Sequence, residues 1–172
     1  MKNIVLTGFM GTGKTEVGKI LSQKLGLVLI DVDTEIERAQ KTTITEIFQR
    51  AGEAAFRDME SDVIKRLSTL HNIVLSTGGG VVLRKENMDL LRRNGVIVCL
   101  AAAPETILRR TGTSKNRPLL QTDDPLQKIK DLYEFRKPFY EQADIIIETD
   151  NMVPSQVAEE IIKQVKIKVE AE

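Results

Sequence analysis

Gly8-Phe9-Met10-Gly11-Thr12-Gly13-Lys14-Thr15 is the stretch whose reading decides the fold. It matches G-x-x-x-x-G-K-[ST], and its flanks give the pattern meaning. Ahead of it lies a short branched apolar run, Ile4-Val5-Leu6, that reads as a strand; behind it, Val17, Ile20, Leu21 and Leu25 share one helical face. Glycines 8, 11 and 13 let the backbone approach a ligand closely. Successive N–H groups then point inward, and the helix N-terminus adds positive potential. Lys14 supplies a point charge for outer phosphates, and the Thr15 hydroxyl suits Mg²⁺, a hard cation that prefers oxygen. Gly11, Thr12, Gly13, Lys14, Thr15 and Glu16 are therefore expected around a nucleotide. A kinase, an ATPase and a GTPase switch all need this cradle, so the loop alone does not choose among them.

Working outward, four further apolar runs recur at Leu27–Ile30, Ile73–Leu75, Val96–Leu100 and Ile145–Ile147, separated by longer amphipathic stretches. That alternation predicts a three-layer α/β/α fold with a five-stranded parallel sheet. Val157, Ile161, Val165 and Val169 mark a last helix, with Ser155 after Pro154 as its start. The polar stretch Thr111-Gly112-Thr113-Ser114-Lys115-Asn116-Arg117-Pro118, continued from Gln121 to Pro125, reads as a mobile loop. His71 reads as a surface or capping residue at a helix-to-strand junction.

The 172 residues suit one domain, and 25 basic residues against 25 acidic ones leave no net charge to attract nucleic acid or an acidic membrane. No apolar run approaches the roughly 20 residues that cross a bilayer, and Met1-Lys2-Asn3 lacks the form of a secretory signal, so a cytoplasmic protein is expected. The single Cys99, inside Val96–Leu100, reads as a small buried hydrophobe.

Candidates for an acceptor site follow the second and third runs. Asp31 and Asp33, two apart on an extended segment, put both carboxylates on one side; the first suits a metal and the second a hydroxyl, though Asp33 equally suits a helix N-cap. Arg57 and Glu60, three apart, share a helical face, and by themselves read as a solvated ion pair. In Ser76-Thr77-Gly78-Gly79-Gly80, consecutive glycines at a strand end let a backbone donor approach a ligand, or simply form a flexible turn. Arg117 and Arg136 are either ligands or surface charges.

Taken together, GFMGTGKT, DVDTEIE, GEAAFRDME, STGGG, RPLL and the R-x-x-x-Y of Arg136 to Tyr140 resemble the shikimate kinase family, in family order and over nearly the whole chain. The resemblance implies a nucleoside-monophosphate-kinase-like P-loop fold, with a core over 1–111 and 125–172, a lid over about 112–124 and an acceptor-binding helical region over about 32–61. It implies ATP and shikimate as substrates, one Mg²⁺ held near Thr15 and Asp31, and a monomer with no nucleic-acid or membrane partner. Asp33, Arg57, Glu60, Gly78, Gly79, Gly80 and Arg136 would hold shikimate, with the two arginines on its carboxylate and Asp33 near its reacting hydroxyl. Lys14, Asp33 and Arg117 would carry catalysis, Arg117 closing over the phosphates, while Arg110 and the region of Pro154 would form the adenine site. Glu16 departs from the family's usual Ser or Thr, which removes a side-chain hydroxyl and leaves a backbone contact to phosphate. Competing readings are a kinase for another small hydroxy acid such as gluconate or for a nucleoside monophosphate, a nucleotide switch, and a silent interaction module. Against the switch, the chain has no N-K-x-D guanine-reading motif; against the silent module, Lys14, Thr15, Asp33 and Arg117 are all present.

Overall fold

A computed structural model describes residues 2–112 and 123–171. The five expected strands form: β1 (Asn3–Thr7), β2 (Val28–Asp31), β3 (Ile73–Ser76), β4 (Gly95–Ala101) and β5 (Ile145–Glu148). They make one parallel sheet in the order β2-β3-β1-β4-β5. Between and after them run α1 (Lys14–Leu25), α2 (Val32–Gln40), α3 (Ile44–Leu67), α4 (Lys85–Asn94), α5 (Pro104–Thr111), α6 (Pro125–Tyr140) and α7 (Pro154–Glu170). The expected lid, with Arg117 and Arg117-Pro118-Leu119-Leu120, lies outside the described residues apart from Gly112, Asp123 and Asp124.

Alternation along the strands builds two separate cores. Ile4, Leu6, Val74, Val96, Val98 and Leu100 face α1 and α7, meeting Val17, Leu21, Val157, Ile161 and Val165. Val5, Ile73, Leu75, Ile97 and Cys99 face the other way, against Ile36, Ile64, Leu67, Leu91 and Ile129 of α2, α3, α4 and α6. A strand buried on both sides needs apolar residues at every position, which is why the runs read as continuous. The edge strands show the opposite: Val28 on β2 and Ile146 on β5 are exposed. Cys99 is buried, and desolvation pushes its thiol up to about 11, so it stays protonated and packs as a hydrophobe.

Helix ends follow local chemistry. The Thr43 hydroxyl accepts the Glu46 N–H while the Glu46 carboxylate accepts from Thr43, a reciprocal cap on α3. The helix then breaks at Gly52, whose φ of 80° no side chain adopts without strain. The last helix starts at Pro154, one residue before the expected Ser155, because proline needs no N–H partner in the first turn; the Gln156 side chain accepts the Val153 N–H just outside it. His71 is exposed, as read from the sequence.

The sheet order places β1 at the centre, and the loop after it turns sharply over β4. Gly8 has φ 129°, and a Cβ there would fall 2.2 Å from the Leu100 carbonyl oxygen. Backbone meets backbone at that point, so nothing can yield. Gly8→Ala is expected to cost about 2 kcal/mol or more from left-handed strain alone. Thermal melting without nucleotide checks this; a melting temperature equal to wild type would show that the loop relaxes at no cost.

Candidate active site

The loop from Gly8 to Gly13 is braced from within. Thr12, itself buried, gives its hydroxyl to the Phe9 carbonyl at 2.8 Å and its N–H to the same oxygen at 3.4 Å. Lys14 Nζ lies back across the loop, 2.8 Å from both the Gly8 and the Phe9 carbonyl. Gly13 occupies the N-cap of α1 and offers no side chain to the first-turn N–H groups. Those donors and the helix dipole therefore face the cleft, the arrangement that attracts phosphate. The Glu16 carboxylate pairs with Lys19 at 2.7 Å on the helix surface, so toward the cleft this position offers its backbone.

Beyond the loop opens a cleft of about 630 Å³, bordered by Gly11, Gly13, Lys14, Thr15 and Glu16 on one side and by Asp31, Asp33, Arg57, Gly78, Gly79, Gly80 and Arg136 on the other. Met10 of the phosphate loop and Phe56 of GEAAFRDME supply apolar wall, joined by Ile44 and Phe48, which no motif announced. The two aspartates do not sit on one extended segment. Asp31 ends β2 and caps α2, its Oδ1 accepting the Thr34 N–H at 3.1 Å, while Asp33 lies inside the first turn of the helix. The cap expected of Asp33 belongs to Asp31, because β2 stops two residues earlier than an extended Asp31–Asp33 requires. Asp33 is thereby released from capping, and its buried Oδ1 has no hydrogen-bond partner among the described residues. Burial first, then the neighbouring Asp31, raises its carboxyl to about 6, against the pull of Lys14 and Arg57.

Arg57 and Glu60 form no solvated pair. Arg57 Nη1 meets Glu60 Oε2 at 2.6 Å with the side chains 11% and 0% exposed. The kink at Gly52 and the packing of Phe56, Val63 and Ile64 turn this face of α3 inward. Glu60, its carboxyl raised by burial against the opposing Arg57, keeps its other oxygen unpartnered. The three glycines are no loose turn either. A Cβ on Gly80 would fall 2.3 Å from Arg57 Nη2, one on Gly79 3.4 Å from Arg136 Nη1, and one on Gly78 3.1 Å from both Asp33 Oδ1 and Glu60 Oε1. Gly80 admits a guanidinium that a side chain would overlap, and Gly78 leaves two carboxylates room that a Cβ would narrow. Arg136 is 4% exposed, with its guanidinium carbon 5.7 Å from the centre of the Phe9 ring. The Tyr140 hydroxyl, one turn further along α6, donates to the Gly79 carbonyl at 2.6 Å.

On the nucleotide side Arg110 lines the cleft, donating to the Thr149 hydroxyl at 3.0 Å and the Thr149 carbonyl at 2.8 Å. Thr149 carried no sequence signal, since only the docking of α5 against the loop after β5 gives it this task. Pro154, the first residue of α7, is not among the residues bordering the cleft. Arg117 lies outside the described residues.

The chemistry of the cleft is thus an anion cradle on one wall and, on the other, two carboxylates and two guanidiniums. Asp33 Oδ1 and Arg136 Nε, buried and without a hydrogen-bond partner among the described residues, belong to that second wall, and Glu60 Oε1 lies just behind it against Gly78. Native proteins rarely leave such groups without a partner, so their convergence marks a polar, charged ligand.

Comparison with known proteins agrees. A family model described as shikimate kinase matches residues 10–166. A shikimate kinase of Thermodesulfovibrio yellowstonii is 51% identical over 164 residues, 95% of each chain, and one of Caldicellulosiruptor saccharolyticus is 52% identical over 94% of each. Among solved structures, shikimate kinase from Acinetobacter baumannii in complex with shikimate superposes with a TM-score of 0.94 at 40% identity, over 98% of this chain and 94% of that one. The Aquifex aeolicus enzyme gives 0.85 at 38% identity, over 97% and 98%. A sugar kinase from Janibacter, at 15% identity and a TM-score of 0.64, shares the fold alone. With a family model over residues 10–166 and relatives about half identical across 94–95% of the chain, this chain belongs to the shikimate kinase family.

Proposed function

We propose that this chain transfers the γ-phosphoryl group of ATP to the 3-hydroxyl of shikimate, giving shikimate 3-phosphate and ADP, a step of chorismate and aromatic amino acid synthesis. The carrying observation is the pair of buried atoms without a hydrogen-bond partner among the described residues, Asp33 Oδ1 and Arg136 Nε, on cleft-lining residues across from the phosphate loop, with Arg57 beside them. A small hydroxylated carboxylic acid satisfies both signs of charge at once.

In this reading Arg57 and Arg136 take the shikimate carboxylate, as planar guanidiniums suit, and the glycine turn gives backbone donors. Asp33 Oδ1 accepts from the reacting hydroxyl and orients its oxygen toward the γ-phosphorus. The new P–O bond forms as the bond to the β,γ-bridging oxygen breaks, and the hydroxyl proton passes toward Asp33. Lys14 swings from its loop carbonyls to the outer phosphates, and Arg117 adds a second positive charge. Arg110, held by Thr149, and the region of Pro154 receive the adenine.

The donor set also fits Mg²⁺. Thr15 and Asp31 both border the cleft, and capping occupies only Oδ1 of Asp31. Among the described residues no cluster of three or more His, Cys, Asp or Glu forms a cage. One or two protein oxygens suffice for an ion that keeps waters and takes phosphate oxygens. Bound with ATP, it neutralises charge on the β- and γ-phosphates. The reading includes a monomeric, cytoplasmic enzyme of one domain with a lid over about 112–124.

Coupled measurement of ADP release, with shikimate omitted and then added beside gluconate and a nucleoside monophosphate, tests the acceptor. ADP release that shikimate does not stimulate would end the proposal. Arg136→Ala is expected to raise the KM for shikimate about 30-fold or more, the result of losing one partner of a desolvated charge pair. An unchanged KM would remove Arg136 from the site.

Asp33→Asn is expected to lower kcat about 100-fold or more while leaving ATP affinity intact. In the free enzyme kcat/KM should fall as pH drops through about 6, since the ionised form of Asp33 is the one that orients the hydroxyl. An acid limb near 4 would contradict this. The same shift has a stability consequence of opposite sense. Between about pH 4 and 6 the folded chain holds the Asp33 proton more tightly than the unfolded chain, so stability declines as pH rises through that window. The cost above it is about 3 kcal/mol at most. The Asn variant should therefore melt higher than wild type at neutral pH, with the difference closing below pH 4.

A further inference from the structure

Tyr140 closes the R-x-x-x-Y segment that begins at Arg136. In the structure it is the last residue of α6, its ring is buried in the core, and its hydroxyl reaches 61 residues back to the Gly79 carbonyl at 2.6 Å. Arg136 lies one turn earlier on the same helix. One oxygen thus ties the helix that carries an acceptor arginine to the turn that faces it.

The consequence lies in the Gly79–Gly80 peptide. The described residues contain no cis peptide bond, and in a trans peptide the N–H points opposite to the carbonyl. With the Gly79 oxygen held toward Tyr140, the Gly80 N–H points away from it. Among the described residues no group accepts the Gly79 or the Gly80 N–H. Gly80 also packs so closely on Arg57 that a Cβ there would overlap the guanidinium. Between glycines a peptide turns over with little resistance, because no side chain opposes the change. The backbone of this turn therefore needs an outside hold to keep a donor aimed at a ligand. Burial drives the Tyr140 hydroxyl far above its ordinary value, so it remains a donor throughout the working pH range.

We infer that Tyr140 is a positioning residue for acceptor binding: by holding the Gly79 carbonyl it fixes the Gly79–Gly80 peptide so that the Gly80 N–H joins the Arg57 and Arg136 guanidiniums in meeting an acceptor oxygen. The inference rests on the proposal that shikimate occupies this wall of the cleft.

Tyr140→Phe removes one oxygen and keeps the ring. The expected result is a rise of about 3- to 10-fold in both the KM and the calorimetric Kd for shikimate, the size of one hydrogen bond that orients a ligand contact. The KM for ATP should stay at the wild-type value. Tyr133→Phe, on the neighbouring ring 6.3 Å away, should leave both constants unchanged and controls for the loss of a tyrosine hydroxyl. A lower melting temperature with wild-type shikimate constants would overturn the inference, as would an equal rise in the KM of both substrates. A wild-type enzyme that does not turn shikimate over in the same assay would instead overturn the proposed function.

Discussion

Two guanidiniums and two carboxylates kept out of water at one end of a sheet are the constraint around which this structure is arranged. Arg57, Arg136 and Glu60 are all buried, Asp33 nearly so, and only the Arg57–Glu60 pair is closed, at 2.6 Å. Removing charge from water costs several kcal/mol for each ion, and an incomplete network recovers only part of it. The remainder is offset by the apolar layers on both faces of the sheet. The raised carboxyls of Asp33 and Glu60 are the measurable trace of that imbalance. Under the proposed function, a ligand carrying one carboxylate and several hydroxyls completes the network, and the strain of the free site becomes selectivity for the acceptor.

Glycines mark the places where this arrangement meets the backbone. Gly8 lets the phosphate loop press on β4, and Gly80 lets the turn after β3 press on Arg57. The first positions the nucleotide side and the second the acceptor side. Tyr140 at the end of α6 and Thr149 in the loop after β5 act at the same level, one holding a peptide and the other a guanidinium. The reacting groups are thus placed by strand ends and supported by residues that never touch the chemistry.

Much of this was readable in order along the chain. The five apolar runs became the five strands, because a sheet covered on both faces admits almost no polar residue at a central position. The phosphate loop was readable because its parts are contiguous. Less legible were residues whose surroundings come from elsewhere. Arg57 and Glu60 read as a surface pair, since a helical face does not say what packs on it. Asp33 could also be read as a cap, and the two-residue difference in where β2 stops gave that task to Asp31.

The sequence by itself determined the fold class, the strand count and the nucleotide cradle, because each depends on neighbours within a few residues or on a repeating apolar period. Only the tertiary structure decided that Asp33 is free of capping, that the Arg57–Glu60 pair is buried and that Tyr140 reaches Gly79. Those facts depend on how α3 and α6 close over the ends of β2 and β3, and burial and orientation across such distances have no local signature. The loop from Gly8 to Thr15 can be read as a phosphate site from eight residues; the acceptor wall opposite it comes from four segments that meet only when the sheet is formed.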